Sequence, residues 1–438
     1  MKQAALSGPI AADALRCLLL SCLAAGGFLL PVREVRAQAF NDFQIAPHSY
    51  FERERRDPMS RLLARVESGE FDYGDEPGLP LVRRLLEALE VPESSQVLLF
   101  SQGSLQRELI SPANPRAIFF NEDLHLAWMP EGKIEISSFD PEIGTVFFLQ
   151  SEPEAERIEF AESRRCLGCH GGSATNFLPG PMARSNYTSE TGRRVASVPS
   201  HIRLSHAVPF EDRWGGYFVT NAPPTLSHLG NAFASRESGA LAVDRSHAST
   251  ADLGAFFDPR ILPRPDSEIL ALMLFDHQTE MHNLLIEAVY RDRLLLHLAE
   301  ANGGEAPRLV AEQTDAFFDR LVRYLLFARE VSLAGHSLRR GTDFERDFTA
   351  RRRAAPSGRS LRDFDLETRL FQHRLSYMID SQAFEEAPRT MRERTYRKLH
   401  QILAAETPPE GYDYFDDGER EAILTILKHT KADLPEDW

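Results

Sequence analysis

The stretch Arg165-Cys166-Leu167-Gly168-Cys169-His170-Gly171-Gly172 constrains this chain more than any other. The chain has 438 residues and only four cysteines; the other two, Cys17 and Cys22, lie in an N-terminal segment of different character. So few thiols exclude a disulfide-scaffolded fold and the zinc modules that need several cysteine pairs. Two thiols with two residues between them, and an imidazole directly after, leave four chemistries: a local disulfide, a thioredoxin-like redox pair, a zinc site completed from elsewhere, and covalent attachment of haem.

The order of the residues favours the last. Each thiol can add to one vinyl group of the same porphyrin, and the adjacent His170 then offers an imidazole nitrogen to the iron as proximal ligand. Gly168, Gly171 and Gly172 let the backbone approach a flat ring closely. A thioredoxin-like pair opens a helix within a βαβ pattern, which the flanking sequence does not show. A zinc site needs a further ligand that the sequence does not single out.

The N-terminus agrees with export. Lys2 and Arg16 precede an apolar run from Cys17 to Leu30, followed by Pro31 and the small-x-small site Ala37-Gln38-Ala39. This is the pattern of a secretory signal peptide, expected to occupy 1–39. The run is short for a spanning helix. Arg33, Glu34 and Arg36, just before the cleavage site, keep an uncleaved anchor as the alternative. The net charge of −15 argues against a nucleic-acid binder, which needs a basic surface.

Through Cys166, Cys169 and His170 in an exported chain, the sequence resembles bacterial c-type cytochromes. The resemblance implies one covalent haem c, localisation to the periplasm or the medium, and electron transfer with a redox partner protein or a small-molecule donor or acceptor. It covers a few residues of a chain far longer than the small soluble cytochromes. Arg213-Trp214-Gly215-Gly216-Tyr217-Phe218-Val219 and Asp276-His277-Gln278-Thr279-Glu280-Met281-His282-Asn283 are similar to stretches of large exported bacterial haem proteins, and that likeness carries no activity. The extra length favours an alternative function, a haem enzyme of peroxidase or oxygenase type with an open distal site, where His277, His282 or Arg213 would act on the bound oxidant.

The periodicities predict an α+β chain. Met59–Glu67 and Leu79–Leu89 read as short amphipathic helices. Gln96–Ser101, Ala117–Asn121, Leu124–Met129, Lys133–Phe139 and Gly144–Gln150 are short, β-branched or aromatic, and separated by Pro, Gly and Asn. They predict an antiparallel meander closed by Arg157–Phe160. The β-rich region is thus 40–160. The loop-rich haem segment covers 161–235, with strands at His201–Val208 and Tyr217–Asn221, and 236–264 reads as a linker with one short helix. The remainder, 265–438, reads as a helical bundle: a long helix capped by Asp266 and reaching about Ala299, then Pro307–Val331, Asp365–Ile379, Arg389–Ala405 and Gly418–Lys431.

A second iron ligand is sought among Met182, in Gly180-Pro181-Met182-Ala183, and His277, which shares an apolar helical stripe with Leu270, Met273, Met281 and Leu284. His201, His206 and His228 are further candidates near the motif. Each also reads as an ordinary structural residue, a hydrogen-bonded core histidine in the case of His277. Trp214 and Tyr217 suit the porphyrin face, and Arg213 suits a propionate. Arg339 to Arg362 is arginine-rich and reads as a solvated loop or a docking patch for an acidic partner.

Overall fold

The computed structural model describes residues 40–152, 157–198, 203–436 and 438; the expected leader 1–39 and His201 lie outside these. Residues Phe40–Trp438 form one compact unit.

Two helices open the described chain. α1 (Pro58–Glu67) starts on Asp57, whose carboxylate accepts from the backbone N–H of Met59 and Ser60 at 3.1 Å each, with Pro58 in the first turn where no N–H is needed. α2 (Leu79–Ala88) buries Leu81, Val82, Leu85 and Leu86. The meander follows: β1 (Val97–Leu99), β2 (Arg116–Phe120), β3 (Leu124–Trp128), β4 (Glu135–Asp140), β5 (Gly144–Gln150) and β6 (Phe160–Glu162). All neighbours are antiparallel, in the order β6-β5-β4-β3-β2-β1, and a late strand, β9 (Tyr217–Phe218), adds to the free edge of β1. The sheet therefore has seven strands.

Residues directly opposite one another across a ladder share a face. The pairings Leu98↔Ala117↔Trp128 and Phe119↔Leu126↔Ile136↔Phe148 make one face almost wholly apolar. α1 lies on it, the Met59 N–H donating to Ser138 Oγ at 3.1 Å. The pairings Tyr217↔Leu99↔Arg116, Ile118↔Ala127↔Glu135 and His125↔Ser137↔Phe147 define the other face, which mixes polar and apolar side chains.

Between β6 and β9 the chain forms the turn of the cysteine motif, α3 (Leu167–His170), and the hairpin β7 (Asn186–Thr188) with β8 (Arg194–Ser197). Residues 203–208, expected as strand, are irregular. A second hairpin, β10 (Phe233–Glu237) with β11 (Ala240–Asp244), occupies the start of the expected linker. Its turn, Ser238-Gly239, has positive φ at both positions (50° and 86°), the geometry that matches strand twist.

α4 (Ile269–Ala301) is 33 residues long, and every residue from Ile269 to Tyr290 is buried. The expected apolar stripe is one side of a helix enclosed all round. Its start is tied to the sheet edge: Ser267 Oγ donates to Phe218 O at 2.7 Å and accepts from Leu98 N at 3.0 Å. Asp266 is not the cap. It pairs instead with Arg264 at 3.0 Å, and Glu268 occupies the cap position. α5 (Arg308–Leu325), α6 (Asp343–Ala350), α7 (Gln382–Glu385) and α8 (Arg389–Leu403) pack against α4, and α9 (Asp417–Thr430) packs on α8. The helices thus share a core with the sheet instead of forming a separate bundle.

Two expectations in this region give way. Asp365–Ile379 is not a helix; Asp365 accepts from the N–H groups of Glu367 and Thr368 at 2.8 and 2.7 Å, and Leu366 has φ 61°. A side chain that bonds its own backbone in this way competes with helix formation. The arginine-rich segment contains α6, which buries Phe344 and Phe348. Its charges are largely matched within the chain: Arg351 and Arg362 by Glu122 at 3.4 and 2.8 Å, Arg352 by Asp363 at 3.0 Å, and Arg353 by Glu385. That leaves little unpaired charge to recruit an acidic partner.

Candidate functional site

A cavity of about 650 Å³ opens on the mixed face of the sheet. This lies within the range of small-molecule and cofactor pockets. Its floor is the set of residues that the strand register brings together: Leu99, Arg116, Ile118, His125, Ala127, Glu135, Ser137, Phe147 and Tyr217. At one end of the strands the same face is closed by α4. There the Phe139 ring stacks on His282 with centroids 3.5 Å apart, and Phe120 meets Phe275 at 5.5 Å. At the other end the opposing wall is the segment that carries Cys166, His170, Pro181, Met182 and Arg184.

The motif folds as a tight turn. Arg164–Cys166 is a short 3-10 turn running into α3, and Gly171 N–H closes on Leu167 O at 2.9 Å. Cys166 is half-buried on the cavity wall, Cys169 is exposed, and both are free thiols. Burial pushes the Cys166 thiol up, against a hydrogen bond with Ser163. His170 also lines the cavity. Its Nδ1–H donates to Gly180 O at 2.9 Å, and Gly180 N–H donates back to His170 O at the same distance. That bond fixes the tautomer and turns Nε2 into the acceptor, the arrangement a metal-ligating histidine uses. Burial lowers the His170 pKa to about 4, with Arg116 adding to the effect and the Gly180 bond opposing it. The imidazole is neutral at pH 7, with a lone pair available.

Gly180 has no side chain because none fits. A Cβ there would lie 2.0 Å from Asn283 Oδ1. Asn283, on α4, is itself fixed by donating to Pro181 O at 3.1 Å and Thr279 O at 2.9 Å. The central helix thereby sets the position of the carbonyl that orients His170.

Five arginines, Arg107, Arg116, Arg184, Arg193 and Arg194, line the cavity against two glutamates, Glu108 and Glu135. In a chain of net charge −15 this is a local positive field. Burial alone would raise the Glu135 carboxyl, but Arg116 and hydrogen bonds from Gln106 and Ser104 bring it below the usual carboxylate range. Three buried polar atoms on the lining residues have no hydrogen-bond partner: Arg116 Nε, Arg184 Nε and His125 Nε2. Buried donors and acceptors in folded proteins are nearly always satisfied, so orphans grouped around one cavity point to a guest. Their types, guanidinium and imidazole, suit a group with carboxylates at its edge and a metal at its centre.

The other sequence candidates are placed as follows. Met182 and Tyr217 line the cavity. His277 does not: its Nδ1 is 2.9 Å from His206 Nδ1, its Nε2 is 2.7 Å from Ser376 Oγ, and its ring stacks on Tyr324 and Phe327. Both ring nitrogens are engaged in the core, so the expectation that His277 faces iron is replaced by its reading as a hydrogen-bonded core histidine. His228 accepts from Gly230 N–H at 3.0 Å. Trp214 and Arg213 are buried beside Asp276, away from the cavity lining. Among the described residues, no three His, Cys, Asp or Glu side chains converge as a metal-ion site. His125 was missed by sequence reasoning. It sits in the alternation His125-Leu126-Ala127-Trp128, whose polar side reads as solvent-facing when the strand is taken alone.

The His206–His277 pair predicts an acid sensitivity. Burial, then Arg213, lowers the His206 pKa to about 3, against about 6.5 in an unfolded chain. As pH falls through 6.5 the unfolded state takes up a proton that the folded state refuses, so stability is lost on acidification. Between pH 7.5 and 5 the wild type is expected to lose about 2 kcal/mol more than His206→Gln, measured by urea unfolding at each pH. Parallel pH profiles of the two proteins would sink this account.

No protein-family model, characterised protein or solved structure matches this chain. Among the described residues no helix is long and apolar enough to cross a membrane.

Proposed function

We propose that this chain is an exported monohaem c-type cytochrome that binds haem in the cavity on the sheet's mixed face and transfers electrons to or from a redox partner. The observation that carries the reading is the convergence on one cavity of Cys166, of His170 with Nδ1 anchored and Nε2 free, and of arginines whose buried Nε atoms lack partners. Haem, when bound, supplies a one-electron couple at its iron.

The residues divide the remaining work. Cys166 and Cys169 provide the thioether bonds, and His170 the proximal nitrogen. Gly180 O, held by the Asn283–Pro181 contact, keeps the imidazole in one tautomer and raises its basicity. Arg116, Arg184, Arg193 and Arg194 offer fork-shaped donors for the two propionates. Ile118, Phe147, Phe275 and Tyr217 give apolar walls that exclude water and lower the local dielectric.

The test is covalent haem content. Full-length protein made alongside a bacterial haem c maturation system is expected to keep its haem through acid–acetone extraction and to give the pyridine haemochrome of two thioether bonds. Cys166→Ser or Cys169→Ser is expected to shift that spectrum to one thioether or to lose the haem, and the double variant to retain none. Equal haem content in the double variant and the wild type would overturn the proposal. A haem enzyme with an open distal site would instead show a high-spin spectrum that shifts with cyanide or carbon monoxide.

A further inference from the structure

We infer that His125 is the second protein ligand of the iron, opposite His170; this rests on the haem reading above. The strand register supports it. His125, Ser137 and Phe147 lie directly opposite one another on β3, β4 and β5, so all three project from the same face. The Phe147 ring lies 4.7 Å from the His170 imidazole. Across this row the order is therefore His125, Ser137, Phe147, His170, with the smallest side chain in the middle. Two strand spacings, about 10 Å, separate the His125 and Phe147 backbones, and the cavity fills the space above Ser137.

His125 is presented to that space by a rigid frame. It sits within a strand in the middle of the sheet. Its ring meets Phe139 at 4.9 Å, edge-on, and Phe275 at 4.9 Å, with His282 and Phe120 at 6.4 and 6.3 Å. None of these neighbours satisfies its Nε2, which is buried without a partner. An orphaned nitrogen alone does not mark a ligand, since His48, His206, His282 and His373 also have at least one. His125 is the one among them whose ring lines the same cavity as His170. Met182 lines it too, but from an irregular segment, and its Sδ is 3.4 Å from an Arg184 guanidinium nitrogen. A ligand built on a strand and wedged between aromatic rings is held more firmly than one on such a segment.

The experiment uses full-length, haem-loaded protein and reads coordination instead of activity. The wild type is expected to be low-spin in the ferric state, without a methionine-to-iron charge-transfer band, and to give the electron paramagnetic resonance signature of two imidazoles. His125→Ala is expected to become high-spin and to bind cyanide and carbon monoxide, and free imidazole is expected to restore the low-spin form. Met182→Leu is expected to leave the spectrum unchanged. A low-spin His125→Ala protein, a high-spin wild type, or a His–Met signature lost in Met182→Leu would each overturn the assignment. Should His125→Ala fail to fold, the wild-type resonance signature decides alone. Covalent haem with a coordination that ignores His125 rejects this inference only; a wild type without covalent haem rejects the haem reading and this inference together.

Discussion

Gly180→Ala is expected to destabilise the chain by about 1–3 kcal/mol, the usual range for overpacking a filled site. In haem-loaded protein it is also expected to raise the reduction potential. The added Cβ would fall 2.0 Å from Asn283 Oδ1, well inside contact distance. Asn283 can yield only by giving up its bonds to Pro181 O and Thr279 O. If Asn283 holds, the Gly180 segment moves and stretches the His170 Nδ1–H bond to Gly180 O. A weaker bond makes the imidazole a poorer donor to iron, which favours the reduced state. Asn283→Ala in the same chain removes the clashing oxygen, which has no hydrogen-bond partner in the native chain, and is expected to recover part of the lost stability. Unfolding curves and a potentiometric titration of the single and double variants check both parts. A Gly180→Ala protein as stable as the wild type would show that the packing between α4 and this segment is loose.

The sequence made the motif and the meander legible for different reasons. Cys166, Cys169 and His170 are bound by local covalent spacing, which needs no tertiary context to recognise. The strands from Val97 to Gln150 announce themselves by aromatic and β-branched runs between turn residues, and Gly144–Gln150 is found with its expected bounds. Asp365–Ile379 is not the expected helix because the Asp365 side chain bonds its own turn. The β10–β11 hairpin escaped because its strands are short and mostly exposed, leaving little alternation to read.

The floor of the site was hidden for a more general reason. In β3 and β4, His125, Ala127, Glu135 and Ser137 alternate with Leu124, Leu126 and Ile136. On one strand that is the signature of a sheet with one face in water. Only the pairing of strands, with the motif segment folded over them, turns the polar side into a cavity. Arg116 and His125 are nine residues apart in sequence and belong to different rows of the ladder, so no local pattern links either of them to His170. The same holds for the proposed second iron ligand. A helix pattern drew attention to His277, whereas the residue that shares a cavity with His170 lies on a strand.

The largest stability effect is expected from Arg213→Met, a loss of about 3–5 kcal/mol at pH 8. Arg213 is buried, donating from Nε to Val208 O at 2.7 Å and from a terminal nitrogen to His206 O at 2.8 Å, with another 4.0 Å from Asp276. Asp276, on α4, accepts from Trp214 Nε1 at 2.9 Å. Burial raises the Asp276 pKa to about 7, against the opposing pull of Arg213 and Trp214. Since that is above its unfolded value, near 3.9, the carboxyl costs nothing while protonated in both states, increasingly opposes folding as pH rises from about 4 to about 7, and levels off above that. Arg213 limits that cost, so without it the pKa rises further and the deficit of the variant widens from pH 5 to pH 8. At pH 5 the remaining deficit is the two backbone acceptors left without their donor. Adding Asp276→Asn removes the charge while keeping an oxygen for Trp214, and is expected to recover most of the pH-dependent part. The pair also bears on the site. It ties α4 to the turn Trp214-Gly215-Gly216, where a Cβ on Gly215 would fall 2.3 Å from Asn186 O and Gly216 has φ 90°. That turn leads directly into Tyr217 on the cavity wall. Urea unfolding of the wild type and the two variants at pH 5 and pH 8 measures the effect, and a deficit independent of pH would remove Asp276 from the explanation.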